Sequence, residues 1–221
     1  MTEQNFITSH RFLLILSAFI VISGCILIAA SGNETCFLWI NQNMTPSFGQ
    51  SARIFSALGE WYSMGLLILI SLWMPFRKTM MLAFIWFSGA CYSWLFKLWL
   101  LKGLARPLEH FQKSGITLNL VEGVDVHHFN SFPSGHTLTA FSAAFAVVCL
   151  FPLSARWIQI LVFLFALCCG ISRIVLVQHW PLDVAGGAVL GILASFSGQN
   201  LASWLPQYPL MNRPIWSKSK V

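Results

Sequence analysis

The stretch FLLILSAFIVISGCILIAA, Phe12 to Ala30, carries no charged residue. A helix needs roughly 20 apolar residues to cross the hydrocarbon core of a bilayer, so this run reads as a membrane helix. No clear small-residue cleavage site follows it, and a retained helix is expected rather than a removed signal peptide. The same criterion applied along the chain gives six candidate spans, at about 12–30, 54–74, 79–101, 137–152, 157–177 and 184–205. The fourth is short, and is expected to extend back into the turn before it or to pack inside the bundle. Isolated strands cannot satisfy their backbone groups in lipid, and no alternating barrel pattern is present. The expected fold is therefore all-α: a six-transmembrane-helix bundle forming one integral membrane domain over residues 1–205, with a polar tail at 206–221.

Composition agrees. The 221 residues are 57% hydrophobic and only 9% charged, with a mean hydropathy of +0.70, which no ordinary soluble domain shows. The net charge of +6 is scattered between apolar runs and forms no dense patch or basic helix, so no nucleic-acid partner is expected. Five of the six cysteines, Cys25, Cys91, Cys149, Cys168 and Cys169, fall in apolar runs and Cys36 in a loop. That distribution offers neither a disulfide framework nor a zinc-ligand spacing.

The scattered charge is a topology signal. Arg11, Arg77, Lys78, Arg156, Arg213, Lys218 and Lys220 collect on one side, which the positive-inside rule makes cytoplasmic together with both termini and the tail. Arg53, Lys102, Arg106 and Lys113 collect on the other, with Lys97 and Arg173 inside span ends. The loops at 31–53, 102–136 and 178–183 are then expected outside, or in the periplasm if the source is bacterial. The first of these loops holds two formal glycosylation sequons, Asn33-Glu34-Thr35 and Asn43-Met44-Thr45, which matter only in a eukaryotic secretory route.

Three polar clusters flank the outer ends of spans three to six: Lys102-Gly-Leu-Ala-Arg106-Pro107; Pro133-Ser134-Gly135-His136; and Ser172-Arg173, followed at fixed spacing by His179 and Asp183. Ser134 and Gly135 ahead of an apolar helix leave outward N–H groups at the positive end of a helix dipole, which favours an anion. Arg173 near a span end is costly unless it faces the interior and meets a partner, and a buried anion is such a partner. Pro181 suits the first turn of a helix, with Asp183 in that turn and His179 just ahead. Asp183 can then accept the ring N–H of His179 and fix the tautomer that leaves the other nitrogen free to attack. Phosphoryl transfer needs cations around three equatorial oxygens, one nucleophile and one acid. Arg106, Arg173, a lysine and the amides at Ser134 and Gly135 supply the first. His179 is the candidate nucleophile, and His136 the acid that protonates the departing oxygen and then activates water. No metal or cofactor is required by this scheme.

Together the clusters resemble the signature of the type 2 phosphatidic acid phosphatase family, whose members include membrane lipid phosphatases and which shares its site with the vanadium haloperoxidases. The family pattern runs lysine, six residues, Arg-Pro; then Pro-Ser-Gly-His; then Ser-Arg, five residues, His, three residues, Asp. The second and third motifs match here without gap or substitution. The resemblance implies a six-helix membrane fold, a phosphohistidine on His179, and lipid phosphate or diphosphate substrates. The first motif departs from the pattern: Trp99 stands at the lysine position, with eight residues between Lys97 and Arg106 and three between Lys102 and Arg106. At 100° per residue Lys102 shares a face with Arg106 if the turn continues, whereas Lys97 points away, which favours Lys102. Gly103 can bend the turn and reverse that preference.

The expected activity is thus a metal-independent lipid phosphatase of the membrane, bacterial inner membrane if the source is bacterial, with its site at the outer interface. A lipid phosphotransferase using the same histidine, and a six-helix anion transporter, are the alternatives. Glu60, inside the second span, is a proton-relay group, a ligand contact or an interfacial carboxylate. Glu109, His110, Asp125, His127 and His128 fit solvated loop positions, and the tryptophans fit interfacial belts.

Overall fold

The computed structural model describes residues 3–151, 156–206 and 208–216, and every regular element among them is helical. In chain order they are α1 (Glu3–Ser31), α2 (Asn33–Gln42), α3 (Pro46–Leu58), α4 (Trp61–Ser71), α5 (Phe76–Trp94), α6 (Pro107–Lys113), α7 (Gly135–Leu150), α8 (Arg156–Val175) and α9 (Pro181–Ser203). A π-helix at Leu95–Leu100 prolongs α5, and a 3₁₀ turn at Pro209–Asn212 follows α9. Four stretches are long and apolar enough to cross a bilayer: His10–Ser31, Phe76–Leu100, Arg156–Val175 and Pro181–Ser203. The α3–α4 pair passes the same test only as a unit bent by 45°. At 16 residues, α7 rises about 24 Å, short of the roughly 30 Å hydrocarbon core.

Three expectations need correction. Residues 31–53 form no open loop; α2 and most of α3 occupy them. Pro46 at the first helical position and Thr45, whose Oγ1 accepts the Phe48 N–H at 3.3 Å, start α3 where only a polar connection was expected. The span expected at 54–74 is likewise broken. Glu60 caps α4 in an extended conformation (φ −73°, ψ 170°), because a carboxylate inside an apolar helix is expensive and a break turns it toward a polar neighbour. The loop at 102–136 is also partly folded, around α6. The last residue of the span expected at 137–152, Pro152, and the basic residues Lys218 and Lys220 lie outside the described residues.

The short helix α7 is the centre of the bundle, packed among α4, α5, α8 and α9. Its buried face is built from small residues, Ala140, Ser142, Ala143, Ala144 and Ala146, which bring neighbouring backbones close. Helix α9 answers with glycine. A Cβ on Gly187 would stand 2.6 Å from the Ser134 carbonyl oxygen, and one on Gly191 2.5 Å from that of Leu138. Apolar side chains such as Phe141, Phe145 and Phe163 fill the layer toward α1 and α8.

Polar bonds gather the helix ends. The Phe76 N–H donates to the Arg213 carbonyl at 3.0 Å, Arg77 Nη2 to that of Ala202 at 3.2 Å and Lys78 Nζ to that of Leu150 at 2.5 Å. The start of α5, the ends of α7 and α9, and the tail therefore share one end of the bundle. The three polar clusters lie at the other.

Overpacking a helix contact against rigid backbone costs about 1–3 kcal/mol. Gly191→Ala is expected to lower the thermal midpoint of the protein in detergent micelles. Gly65→Ala, on α4 where an added Cβ meets nothing within 4 Å, is expected to leave it unchanged.

Candidate active site

The site is assembled where α7 and α9 begin. Ser134 caps α7: its Oγ accepts from the Thr137 N–H at 3.4 Å and the Thr137 hydroxyl at 2.8 Å. The Ser134 N–H crosses to the Asp183 carbonyl at 3.1 Å, tying the two helix starts together. The Ser134 hydroxyl is thus engaged in capping, and the N–H groups of Gly135 and His136 are the ones a first helical turn leaves without intrahelical acceptors.

On α9, Asp183 occupies the first turn and is 5% exposed. Its Oδ2 accepts from the Trp180 N–H at 2.9 Å and the Ser131 hydroxyl at 2.5 Å, and lies 3.4 Å from His179 Nδ1. His179 is 2% exposed. Burial pushes its pKa well below the usual histidine value, and the cations Arg106, Arg173 and Lys97 act in the same direction. The ring is therefore neutral at pH 7. With Nδ1 turned to Asp183, the lone pair lies on Nε2.

Between α8 and α9 the chain turns sharply, with Val177 at φ +58°, a conformation rare for a β-branched residue. The Gln178 and His179 N–H groups both donate to the Arg173 carbonyl, at 2.9 and 3.1 Å. This turn converts the spacing between Arg173 and His179 into proximity. Arg173 is buried; its Nη1 donates to Ser56 Oγ on α3, and its Nε has no partner among the described residues. A buried charged donor left unpaired is costly, and an oxyanion satisfies it.

Arg106 is also buried. Its Nε donates to the Phe129 carbonyl at 2.9 Å, and its Nη1 to the Gln178 carbonyl at 2.9 Å and Gln178 Oε1 at 3.0 Å. Burial lowers its pKa, and the Asp183 carboxylate opposes that shift.

The lysine preference reverses in the structure. Lys102 is exposed in the turn after the π-helix. Lys97 Nζ instead lies 3.8 Å from the position a Cβ on Gly135 would take, within electrostatic range of Arg106, Arg173 and Asp183. The physical reason is the π-helix, closed by the Leu101 N–H to Phe96 carbonyl bond at 2.8 Å. Its wider i→i+5 turn rotates the following residues less than 100° each, and with the bend at Gly103 it takes up the additional residues before Arg106.

His136 stands on the first turn of α7, with Nε2 3.6 Å from Glu60 Oε1. Both line a groove of about 260 Å³ that runs between α4, α5 and α7 past Trp61, Trp86 and Gly89. Three of the remaining loop residues, Glu109, His110 and His128, form surface pairs. Glu109 meets His128 and Lys113, each at 2.9 Å, and His110 meets Glu34 at 3.1 Å. Hydrogen bonds from Lys113 and His128 hold the Glu109 carboxyl below the usual range. Four site residues escaped the sequence reading: Ser56, Ser131, Gln178 and Asn33, whose Oδ1 accepts the Leu182 N–H at 3.1 Å. Ser131, two residues before Pro133, was the most legible of them. Among the described residues, no group of three or more His, Cys, Asp or Glu side chains is arranged to hold a metal ion.

Apolar helices of membrane length that meet at one end around clustered cations and two histidines define an integral membrane protein. Residues 59–205 match the PAP2 superfamily model, and the chain belongs to that superfamily. Among solved structures, LpxE of Aquifex aeolicus superposes with a TM-score of 0.63 at 26% identity, over 75% of this chain and 93% of that one. The PAP2-type phosphatidylglycerolphosphate phosphatase of Bacillus subtilis superposes with a TM-score of 0.62 at 21% identity, over 92% and 98%, and shares the fold. In sequence, the bacitracin transport permease protein BcrC of Bacillus licheniformis is 50% identical over 66 residues, 30% of each chain. The lipid A 1-phosphatase of Porphyromonas gingivalis is 42% identical over 69 residues, 31% of this chain and 16% of that one. These sequence matches span less than a third of either relative.

A charge-assisted hydrogen bond is worth about 1.5–3 kcal/mol. Lys97→Met is expected to weaken the binding of vanadate, which adopts the trigonal bipyramid of phosphoryl transfer, by about tenfold or more. Lys102→Met is expected to leave it unchanged, as measured by displacement of a bound lipid analogue; a larger loss with Lys102→Met contradicts the lysine assignment.

Proposed function

We propose that the protein is a membrane lipid phosphatase that works through a phosphohistidine on His179. One observation carries the reading: a buried His179 held by Asp183 lies at the turn that follows Arg173, whose buried Nε has no partner among the described residues. In the first step His179 Nε2 attacks phosphorus, the bond to the leaving oxygen breaks, and His136 gives that oxygen its proton. In the second, water attacks phosphorus, His136 takes the water's proton, and the P–N bond breaks with its electron pair returning to His179. Arg106, Arg173, Lys97 and the first amides of α7 stabilise the charge that builds on the equatorial oxygens. The cationic donor set supports a mechanism without metal.

The proposed topology has six crossings. The bent α3–α4 pair is one, and α7, shielded inside the bundle, is another. The cationic helix ends at Arg77 and Lys78 favour a cytoplasmic position for that end, and the site then faces the outside or periplasm of the inner membrane. The groove beside His136 suits a hydrocarbon chain entering from the lipid with its phosphate at the interface. Phosphatidic acid, phosphatidylglycerol phosphate, undecaprenyl diphosphate and the 1-phosphate of lipid A all have that form.

An anion transporter is the second reading, favoured by the name of the Bacillus licheniformis relative as a transport permease. Purified protein offered a panel of these lipids with chelator present is expected to release inorganic phosphate, with vanadate inhibiting. His179→Ala is expected to abolish release. Release that survives the substitution sinks the nucleophile assignment, and phosphate appearing on an acceptor lipid instead of in water supports a transferase.

The low pKa of His179 sets a pH window. Its neutral form persists as pH falls through the usual histidine value near 6.5, so the nucleophile is lost only at lower pH. The acid limb of kcat/KM is expected below pH 6.5, and a limb above that value contradicts the assignment.

A further inference from the structure

Glu60 is left without a task by the chemistry above, yet it lies at the edge of the site. The helix break places it there: α3 ends at Leu58, and Glu60 opens α4 with its side chain making no cap hydrogen bond. Its Oε1 is 3.6 Å from His136 Nε2. The charged groups that act most on His136 are cations and a histidine: Arg173 and His179 from α8 and its turn, Lys97 from the π-helix, and Arg106 before α6; Glu60 also lies within electrostatic range of Arg173. Asp183, the other carboxylate of the site, already accepts from Ser131, Trp180 and His179. Glu60 is thus the one anion of the described residues that faces His136 directly.

The proposed reaction needs His136 to be an imidazolium when the leaving oxygen departs, and a neutral base when water attacks. A ring surrounded by cations resists the first state, and a carboxylate within about 4–6 Å favours it. We propose that Glu60 is a positioning residue for His136: it accepts the Nε2–H, fixes the tautomer that turns Nδ1 toward the phosphate, and stabilises the imidazolium that protonates the leaving oxygen and re-forms when water is deprotonated. The proton then enters and leaves at Nδ1, while the Nε2–H stays on the carboxylate. This inference rests on the proposed phosphatase mechanism, but the pairing has a readout of its own.

Imidazole nitrogen NMR of the full chain in micelles, with His136 assigned by the loss of its signals in His136→Asn, reports tautomer and titration without turnover. The wild type is expected as the Nε2–H tautomer. Glu60→Gln is expected to lower the titration midpoint of His136 by about one unit, and Glu60→Asp to keep it near the wild-type value. In turnover, Glu60→Gln is expected to cut kcat for a lipid monoester about tenfold or more and to move the basic limb of the kcat profile to lower pH. A merely structural carboxylate moves neither limb. An Nδ1–H tautomer in the wild type, or an unchanged midpoint in Glu60→Gln, overturns the proposal; should Glu60→Gln fail to fold, the wild-type tautomer decides. A wild type that releases no phosphate from any lipid defeats the functional reading, and the NMR titration still decides the pairing.

Discussion

The seam between α7 and α9 is the constraint on which the site depends. Two helices whose starts carry His136 and Asp183 approach until their backbones touch, and only glycine at 187 and 191 permits it. The Ser134 N–H to Asp183 carbonyl bond then locks the register of one helix start against the other. In lipid, where no hydrophobic force favours one apolar contact over another, close packing and such interhelical bonds determine geometry. The seam sets how the helix starts that carry His136 and Asp183 lie against each other.

Charge balance is the second organising fact. Lys97, Arg106, Arg173 and two histidines converge, against the carboxylates of Asp183 and Glu60. Asp183 is committed to orienting His179, with Ser131 and the Trp180 N–H fixing the carboxylate in turn. The positive charge that remains is of the kind an oxyanion satisfies. Gln178 shows how far the scaffold goes to hold the cations: its carbonyl and side chain both accept from Arg106, while its own amide donates to the Asp125 carbonyl at 2.7 Å.

Much of this arrangement was legible in the sequence because it is written in local chemistry. Pro181 announced the start of α9, Ser134 the cap of α7, and apolar run lengths the membrane helices. The rest depends on features with no local code. Lys97 reaches Gly135 only through a π-helical turn, and a rule of 100° per residue therefore chose Lys102. Thr45-Pro46 did signal the start of α3, but the polar residues around it read as a loop. Ser56, Ser131 and Gln178 are ordinary residue types whose roles arise only once distant segments meet.

The stereochemical course at phosphorus tests the covalent mechanism most directly. A lipid monoester whose phosphorus is made chiral by isotopic or sulfur substitution can be turned over in labelled water and the configuration of the released phosphate determined. Two in-line displacements, onto His179 and then onto water, give net retention, and retention is the expected result. Inversion, the mark of direct attack by water, would contradict a phosphohistidine at the α7–α9 seam.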